Sequence, residues 1–290
     1  MSMRIAVGGG KGGTGKSTIA VNLAFELSKK RGRVLLVDND VESPVDHIFL
    51  GGDRERIIEI NSFLPTINEE KCMKCGLCIQ HCPEHALIGL VGQHPKLLRD
   101  LCEGCKLCYY VCPAKAIEEE KRTIGYIYRA EYRGINLIQG EVLPGVKQHT
   151  NVALRTMQYA NRFFGNYDYV IIDSAPGTGA NVWITLNEAD ISIAVTEPTP
   201  LGVSDLKRYL KLVEKVGKEA IVVINRSDVE GGNKEIIYSL SKDNYPIKGF
   251  IEVPYDELLI KSYVSGKLVC ELNPKASSCE SIRRILDFLD

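Results

Sequence analysis

Residues 8–18 read Gly-Gly-Gly-Lys-Gly-Gly-Thr-Gly-Lys-Ser-Thr, and this stretch decides the fold. From Gly10 to Ser17 it satisfies G-x-x-x-x-G-K-S/T, the pattern of a loop whose backbone N–H groups surround phosphate oxygens. Glycines are needed because a side chain would block the approach of the backbone to phosphate, and because some positions require a positive φ. The pattern therefore predicts a phosphate site rather than a glycine-rich turn without a ligand.

The residues on either side of the loop predict a strand and a helix. Arg4–Val7 is a short apolar segment that ends at the loop, as a buried strand would. After the loop, Ile19, Leu23 and Leu27 share one stripe of a helix that starts at Ser17 and whose N-terminus faces the phosphates. This order predicts an α/β fold of the P-loop NTPase class, with a mostly parallel sheet flanked by helices.

Two side chains of the loop have chemical roles that follow from their type. Lys16 is expected to reach the β and γ phosphates of a nucleoside triphosphate, and the Ser17 hydroxyl is expected to bind Mg²⁺. The nucleotide-binding residues predicted here are Gly10, Lys11, Gly12, Gly13, Thr14, Gly15, Lys16, Ser17 and Thr18.

Acidic residues follow two further apolar segments. Arg33–Val37 ends in Asp38 and Asp40, and Tyr169–Ile172 ends in Asp173. The carboxyl ends of parallel strands are where an α/β sheet binds its ligand. We expect Asp173 to hold Mg²⁺ through water, Asp40 to orient the attacking water, and Asp38 to belong to the shell around the metal. The alternative for each is a helix cap or a turn residue.

Eight of the ten cysteines form two copies of one spacing, thirty positions apart. The copies are Cys72-x2-Cys75-x2-Cys78-x3-Cys82-Pro83 and Cys102-x2-Cys105-x2-Cys108-x3-Cys112-Pro113. This spacing is typical of a ferredoxin with two [4Fe-4S] clusters, in which the fourth cysteine of each run binds the other cluster. We assign Cys72, Cys75, Cys78 and Cys112 to one cluster, and Cys102, Cys105, Cys108 and Cys82 to the second.

Two other interpretations of these cysteines are weaker. Disulfides need an oxidising compartment, whereas the first residues lack an export leader and a nucleotide loop points to the cytosol. Structural zinc usually takes two pairs of ligands, but each run offers four cysteines followed by proline.

Composition bounds the class of protein and its partners. At 290 residues the chain can hold one large α/β domain and a small insert. It contains no apolar run long enough to span a membrane, and a net charge of -1 argues against nucleic acid as a general partner. Clusters of this kind also favour a reducing, cytoplasmic location.

The domain boundaries follow from polar segments. A nucleotide-binding domain is expected at residues 1–60 and 123–290, with the two-cluster domain inserted at 61–122. The polar turn 51–53 precedes the insert, and the charged run 118–122 closes it.

Three motifs together resemble the MinD/ParA-like deviant P-loop ATPases. They are Lys11–Ser17 with its early lysine, Val37–Asp40, and Asp173–Gly179. With the cysteine runs, the chain resembles the subgroup that contains an inserted ferredoxin domain. The nitrogenase iron protein and the Mrp-type cluster-carrier ATPases belong to the same class.

The resemblance implies roles for further residues. The early lysine, Lys11, would cross a dimer interface and contact the ATP held by the partner subunit. The catalytic residues would then be Lys11, Lys16 and Asp40. The dimer would form on ATP binding, either between identical chains or with a paralogue. Asn225 and Arg226, and a second loop with Pro254 and Asp256, resemble the segments that bind adenine. Without the resemblance, Asn225 and Pro254 would be interpreted as ordinary turn-forming residues.

Two departures from these relatives concern cysteines. The cysteine that the nitrogenase iron protein uses after its switch aspartate is missing, and so is the Cys-Pro-x-Cys pair of the Mrp-type carriers. Cys270 and Cys279 do not supply that pair, and we interpret them as buried small apolar residues.

The function expected from these features is ATP hydrolysis coupled to electron transfer through two [4Fe-4S] clusters to a client protein. The cofactors are ATP, Mg²⁺ and the clusters. An alternative is a carrier or assembly ATPase for iron-sulfur clusters or another metallocofactor. A spatial organiser like the partitioning ATPases is a third reading, which the cysteine runs disfavour.

Overall fold

The computed structural model describes residues 2–30 and 32–289, which divide into two compact units. The first unit contains the chain up to Ile57, the segment Ile127–Glu141, and the chain from Thr150 onward. The second contains Ile58–Tyr126 and Val142–His149. The second unit thus includes residues 142–149, which the sequence assigns to the first domain.

The elements alternate along the first unit in the order expected of an α/β protein. The strands are β1 (Met3–Gly8), β2 (Val34–Asp38), β3 (Glu55–Ile67), β4 (Leu87–Ile88), β5 (Lys96–Leu97), β6 (Ile117–Tyr132), β7 (Ile135–Val142), β8 (Tyr169–Asp173), β9 (Ile191–Thr196), β10 (Ala220–Asn225) and β11 (Ile247–Val253). The α-helices are α1 (Lys16–Lys29), α2 (Asp46–Leu50), α3 (Leu77–Gln80), α4 (Leu107–Tyr110), α5 (His149–Asn161), α6 (Ala180–Glu188), α7 (Pro200–Lys215), α8 (Lys234–Ser239), α9 (Glu257–Ser265), α10 (Val269–Leu272) and α11 (Ser277–Arg283). Four 3-10 turns lie at Arg99–Leu101, Phe164–Asn166, Leu240–Lys242 and Arg284–Phe288.

The main sheet has the strand order β11-β10-β9-β1-β8-β2-β7-β6-β3. The pairs from β11 to β7 are parallel. In the β2–β8 register Asp38 lies opposite Asp173, so the two acids predicted for the metal shell end neighbouring strands side by side. The expected α/β class with a mostly parallel sheet is confirmed.

The central strands are apolar on both faces because helices cover both. Ile5 and Val7 of β1 belong to the core that packs on α1, α10 and α11. Ala6 between them belongs to the core that packs on α6 and α7. This alternation follows from the period of two along a strand.

The C-terminal cysteines lie in the first of these cores. Cys270 and Cys279 are fully buried, as expected, but they are paired in a disulfide, which was not foreseen. This pair joins α10 and α11. Next to it, Arg283 Nε donates to Glu26 Oε2 of α1 over 2.6 Å, so the C-terminal helix is also tied to the helix that follows the phosphate loop.

The second unit repeats one small structure twice. Each cysteine run contains a one-turn helix, α3 or α4, and the two helices begin thirty positions apart, at Leu77 and Leu107. The hairpin β4–β5 separates the runs. The core of this unit contains Phe63, Leu87, Cys108 and Ile117.

The segment 142–149 adds one polar contact to this unit. Gln148 Nε2 donates to the carbonyl oxygen of Cys102 over 3.4 Å. Within the two stretches of chain that the structure describes, no helix has the length and apolar character needed to cross a membrane.

Candidate functional site

The phosphate loop has the backbone that its glycines predict. Gly13 and Gly15 adopt φ values of 78° and 95°, in the left-handed region that favours glycine. A Cβ at Gly9 would collide with the carbonyl oxygen of Val195, so the loop also runs close against β9. The loop ends at Lys16, the first residue of the fourteen-residue helix α1. It therefore presents backbone amides and a helix N-terminus to the same space.

The two lysines of the loop differ in their surroundings. Lys16 is 6% exposed, and its ammonium donates to the carbonyl oxygen of Lys11 over 3.1 Å. Burial lowers the pKa of Lys16, while Asp173 and Asp40 act in the opposite direction. The side chain of Lys11 is exposed. Its expected role across a dimer interface stays a prediction.

One cavity of about 480 Å³ brings the phosphate loop and Asp40 together. Asp40 is half-buried, and burial raises its pKa against the opposing charge of Lys16. An acid beside a buried lysine at this position is suited to orient water near a phosphoryl group. The cavity is lined by Gly12, Gly13, Gly15, Lys16, Ser17, Thr18, Asp40, Ser43, Val45, Phe49, Pro176, Arg226 and Tyr263.

Asp38 uses its carboxylate to hold the loop that follows β2. Its Oδ2 accepts hydrogen bonds from Val45 N over 3.0 Å, Asp46 N over 3.2 Å and Gln139 Nε2 over 2.6 Å. Its Oδ1 accepts from Asp40 N over 3.2 Å. Burial raises the pKa of Asp38 to about 7. Asp38 thus fixes the backbone at Asp40 and Asp46, the two acids on either side of this loop. Its membership of the metal shell stays a prediction.

Asp173 lies at the end of β8, where its two carboxylate oxygens accept no hydrogen bond of ordinary length from the described residues, and the Ser17 hydroxyl is the neighbouring donor that favours their ionised form. Burial, with repulsion from Asp38, raises the pKa of Asp173 to about 8. Asp46, at the start of α2, was missed in the sequence because no spacing links it to the other acids. It is fully buried, and oxygen atoms of Asp38, Asp46 and Asp173 all lie within 4.8 Å of one another.

Asp38 is in turn supported by a chain of polar side chains. Gln139, fully buried in β7, donates to Asp38 and accepts from Arg54 Nη1 over 2.6 Å. Arg54 also pairs with Glu141 at 2.5 Å. These residues too were missed in the sequence, although a glutamine inside the apolar segment Ile135–Val142 was a usable signal.

A second cavity of about 240 Å³ adjoins the loop and contains all four residues assigned to adenine. Asn225 and Arg226 come from the end of β10, and Pro254 and Asp256 come from the segment after β11. The lining consists of Gly15, Thr18, Phe49, Asn225, Arg226, Pro254, Tyr255, Asp256, Leu259, Ile260 and Tyr263.

Three of these four residues already use their polar atoms within the protein, and Arg226 does so in an ion pair with Glu197. Asn225 Nδ2 donates to the carbonyl oxygen of Thr14 over 2.8 Å, and its Oδ1 accepts from Arg226 N over 3.0 Å. Asp256 caps α9 by accepting from Leu258 N, and it also accepts from the Ser278 hydroxyl over 2.7 Å. Their contact with a base stays a prediction, whereas their hydrogen bonds within the protein hold neighbouring segments together.

An aromatic pair lines both cavities. Phe49 of α2 and Tyr263 of α9 have ring centroids 5.5 Å apart. Flat apolar faces of this kind suit a nucleoside, which has a large π surface. Neither residue was identified in the sequence, because the helices that carry them meet only in the folded chain.

The eight cysteines of the second unit line two separate cavities. The first is lined by Cys72, Cys75, Cys78 and Cys112, together with Ile67, Pro95 and Ile117 among others. The second is lined by Cys82, Cys102, Cys105 and Cys108, together with Phe63, Leu87 and Leu97 among others. Each cavity therefore receives three cysteines from one run and the fourth from the other run, and the assignment of these two sets to two clusters stays a prediction.

The two fourth cysteines have matching backbone contacts. Ala86 N donates to Cys82 Sγ over 3.3 Å, and Ala116 N donates to Cys112 Sγ over 3.2 Å. Burial raises the pKa of Cys108 to about 11. Four thiols around an apolar space, with amide donors to sulfur, fit a four-thiolate iron-sulfur cluster, whose positive iron ions would displace the thiol protons.

Comparison with known proteins identifies the same architecture elsewhere. Residues 5–269 match the CobQ/CobB/MinD/ParA nucleotide binding domain. An uncharacterized protein of Methanocaldococcus jannaschii is 35% identical over 289 residues, which are 97% of this chain and 96% of that protein. An iron-sulfur cluster carrier protein of Aquifex aeolicus is 29% identical over 225 residues, which are 76% of this chain and 46% of the carrier.

Among solved structures, the cell division ATPase MinD of Pyrococcus furiosus superposes with a TM-score of 0.64 at 14% identity. The match covers 100% of this chain and 98% of that one, and at this identity it shows the fold alone. Because the family match spans most of the sequence and includes the phosphate loop, the chain belongs to the CobQ/CobB/MinD/ParA family of P-loop nucleotide-binding proteins.

Proposed function

We propose that this protein hydrolyses ATP and couples the nucleotide cycle to electron transfer through two [4Fe-4S] clusters to a client protein. The observation that carries this proposal is the presence of two complete four-cysteine cavities in a chain that also carries a phosphate loop. A nucleotide site supplies a switch, and a pair of clusters supplies one-electron transfer.

The residues of the nucleotide site fit the hydrolytic part of this proposal. Lys16 and the loop amides bind the phosphates, Ser17 and Asp173 bind Mg²⁺, and Asp40 positions the water that attacks the γ-phosphoryl group. The products are ADP and inorganic phosphate. The exposed Lys11 is available to a second protomer, which supports a dimer formed on ATP binding.

The cysteine cavities favour resident clusters over a cluster carried as cargo. Each cavity offers four thiols, and one of them in each accepts a backbone N–H hydrogen bond. A full ligand set with supporting amides holds a cluster tightly, whereas a carrier must release its cargo. The proposed location is the reducing cytoplasm, where the eight cluster thiols stay available for iron, while the Cys270–Cys279 disulfide is fully buried.

A carrier or assembly role is the second candidate, and the relatives favour it. The similar protein of Aquifex aeolicus is named an iron-sulfur cluster carrier, and a relative in Arabidopsis thaliana is named a chloroplastic Fe-S cluster assembly factor. In this role the nucleotide would time the release of a cluster to an apo-protein.

One experiment separates the two roles. Protein purified without oxygen is titrated for cluster reduction potential with and without Mg²⁺ and a non-hydrolysable ATP analogue, and in parallel it is mixed with an apo-ferredoxin. Electron transfer predicts a potential shift, about 59 mV for a tenfold change in a one-electron equilibrium, without loss of iron. An unchanged potential together with ATP-dependent iron transfer would instead establish the carrier role. Lys16→Ala protein is the control for both measurements.

A further inference from the structure

Asp46 is a fully buried acid that none of the interpretations above uses. Neither of its carboxylate oxygens accepts a hydrogen bond from an N–H or hydroxyl donor of the described residues, and its polar neighbour is the carboxyl group of Asp173. The oxygens of Asp173, 1% exposed, likewise accept no hydrogen bond of ordinary length from the described residues. The two carboxylates face one another, since ligand atoms of Asp46, Asp173 and Asp38 lie within 4.8 Å.

Burial of an ionised carboxylate without a partner is unfavourable in free energy, and burial of two that face each other is more unfavourable. Transfer of an unpaired charge from water into a protein interior stays unfavourable even after relaxation. The buried cation of the phosphate loop, Lys16, acts on Asp40 and Asp173. Asp38, Asp173 and Asp40 all repel a negative charge on Asp46.

The orientation of Asp46 is fixed by its own backbone. Val45 N and Asp46 N both donate to Asp38 Oδ2, which anchors the start of α2 at the end of β2. Gln139 donates to the same oxygen from β7. Because Asp38 accepts all of these hydrogen bonds, its carboxylate stays in place and the Asp46 side chain stays turned toward Asp173.

We propose that Asp46 and Asp173, with Asp38 beside them, form a site for a hard divalent cation such as Mg²⁺ or Mn²⁺ that fills without nucleotide. The donors are all carboxylate oxygens, which such cations prefer, and no thiol or imidazole has an atom in this group. The phosphate loop of a nucleotide-binding protein ordinarily receives its cation together with the nucleotide. In this chain the three carboxylates can hold the cation before ATP binds.

This inference deepens the proposed function, because Asp173 also belongs to the predicted magnesium shell. Its test needs neither ATP hydrolysis nor electron transfer. Failure of cation binding therefore leaves the proposed function standing, and failure of the proposed function leaves the cation site standing.

The test uses Mn²⁺ as the probe on the full chain with its clusters loaded, handled without oxygen and freed of nucleotide. Equilibrium dialysis should give about one Mn²⁺ per chain for the wild type. Asp46→Asn should bind Mn²⁺ at least about tenfold more weakly, as losses of metal-site carboxylates do. Glu42→Gln is the matched control, because it removes one negative charge from the same loop at an exposed position and should change the affinity less than about twofold.

Thermal unfolding supplies a second readout, because Asp46→Asn is expected to weaken Mn²⁺ binding without lowering the stability of the cation-free protein. Without cation, Asp46→Asn should unfold at a temperature equal to or above that of the wild type, because the change removes a buried acid whose ionisation Asp38 and Asp173 oppose. Mn²⁺ should raise the unfolding temperature of the wild type but not that of the variant. A wild type that binds no Mn²⁺ without nucleotide overturns the proposal, and so does an Asp46→Asn protein that binds it as tightly as the wild type.

Discussion

The side-chain amide of Asn225 donates to the carbonyl oxygen of Thr14 over 2.8 Å, which ties the end of β10 to the phosphate loop. A Cβ on Gly15 would collide with the same Asn225 Nδ2, so loop and amide are in close contact. The residue that resembles a reader of adenine thus holds the loop that binds phosphate.

Replacement of Asn225 should therefore weaken binding of any nucleotide rather than change which base is preferred. Asn225→Leu removes the donor to Thr14 and should raise the Kd of ATP and GTP by a similar factor, about 5- to 30-fold for the loss of about 1–2 kcal/mol. Isothermal titration with both nucleotides measures this. A selective loss of ATP affinity would instead assign Asn225 to the base.

Tyr263 should contribute to nucleoside binding but not to phosphate binding. Tyr263→Ala removes one ring of the pair with Phe49 and should raise the Kd of ATP by a factor that corresponds to about 1 kcal/mol. The Kd of inorganic triphosphate should not change. Val264→Ala is the control, because the neighbouring side chain is 80% exposed and lines neither cavity.

Substitutions of Lys16 and Asp40 should impair different steps, ATP binding for Lys16 and ATP hydrolysis for Asp40. Lys16→Ala removes the buried cation of the phosphate loop and should abolish ATP binding in an equilibrium assay. Asp40→Ala should keep binding and lose about 10²–10⁴-fold in turnover, because only the group that positions water is gone. An Asp40→Ala protein that hydrolyses ATP at the wild-type rate would assign the water to another residue.

Paired cysteine variants test how the two runs share their clusters. The wild type should contain about eight iron atoms per chain, and Cys72→Ala with Cys112→Ala should leave about four, because both changes fall on one cavity. Cys72→Ala with Cys82→Ala should lose nearly all iron, because the changes fall on both cavities. The opposite pattern would mean that each run binds its own cluster.

The Glu26–Arg283 pair should make stability depend on pH. Burial opposes ionisation of Glu26, but hydrogen bonds from Arg283 and Lys29 outweigh it and hold its pKa below the usual 4.5. A depressed pKa contributes stability above pH 4.5, and this contribution is lost as the pH falls below that value.

Glu26→Gln should accordingly destabilise the protein at pH 7 by about 1–3 kcal/mol, and the difference from the wild type should shrink below pH 4.5. Urea unfolding followed by circular dichroism measures both values. Glu280→Gln, on the exposed side of α11, should match the wild type at either pH. A difference that is the same at both pH values would exclude the ion pair as its cause.

Features that depend on neighbours in the chain could be predicted from the sequence. The glycine pattern implies the phosphate loop, and apolar segments that end in Asp38 and Asp173 imply parallel strands whose ends meet. The cysteine spacing repeats every thirty residues and indicates two equivalent halves. In each case the residue types that the feature requires lie within one short stretch of sequence.

Features that depend on distant segments could not be predicted. Asp46 has no partner at a recognisable spacing, and it becomes notable only because α2 buries it beside Asp173. Phe49 and Tyr263 meet only because α2 and α9 flank the same cavity. The pairing of Cys270 with Cys279 likewise follows from how α10 and α11 pack on α1, which their spacing does not reveal.

The division of the chain between the two units limits how the cysteine-rich part could be moved between proteins. The backbone passes from one unit to the other four times, after Ile57, Tyr126, Glu141 and His149. A gene fragment for residues 58–126 alone would omit Gln148, whose amide donates to Cys102. Grafting this part into another scaffold, or expressing it on its own, therefore requires two peptide segments and a designed linker rather than a single cassette.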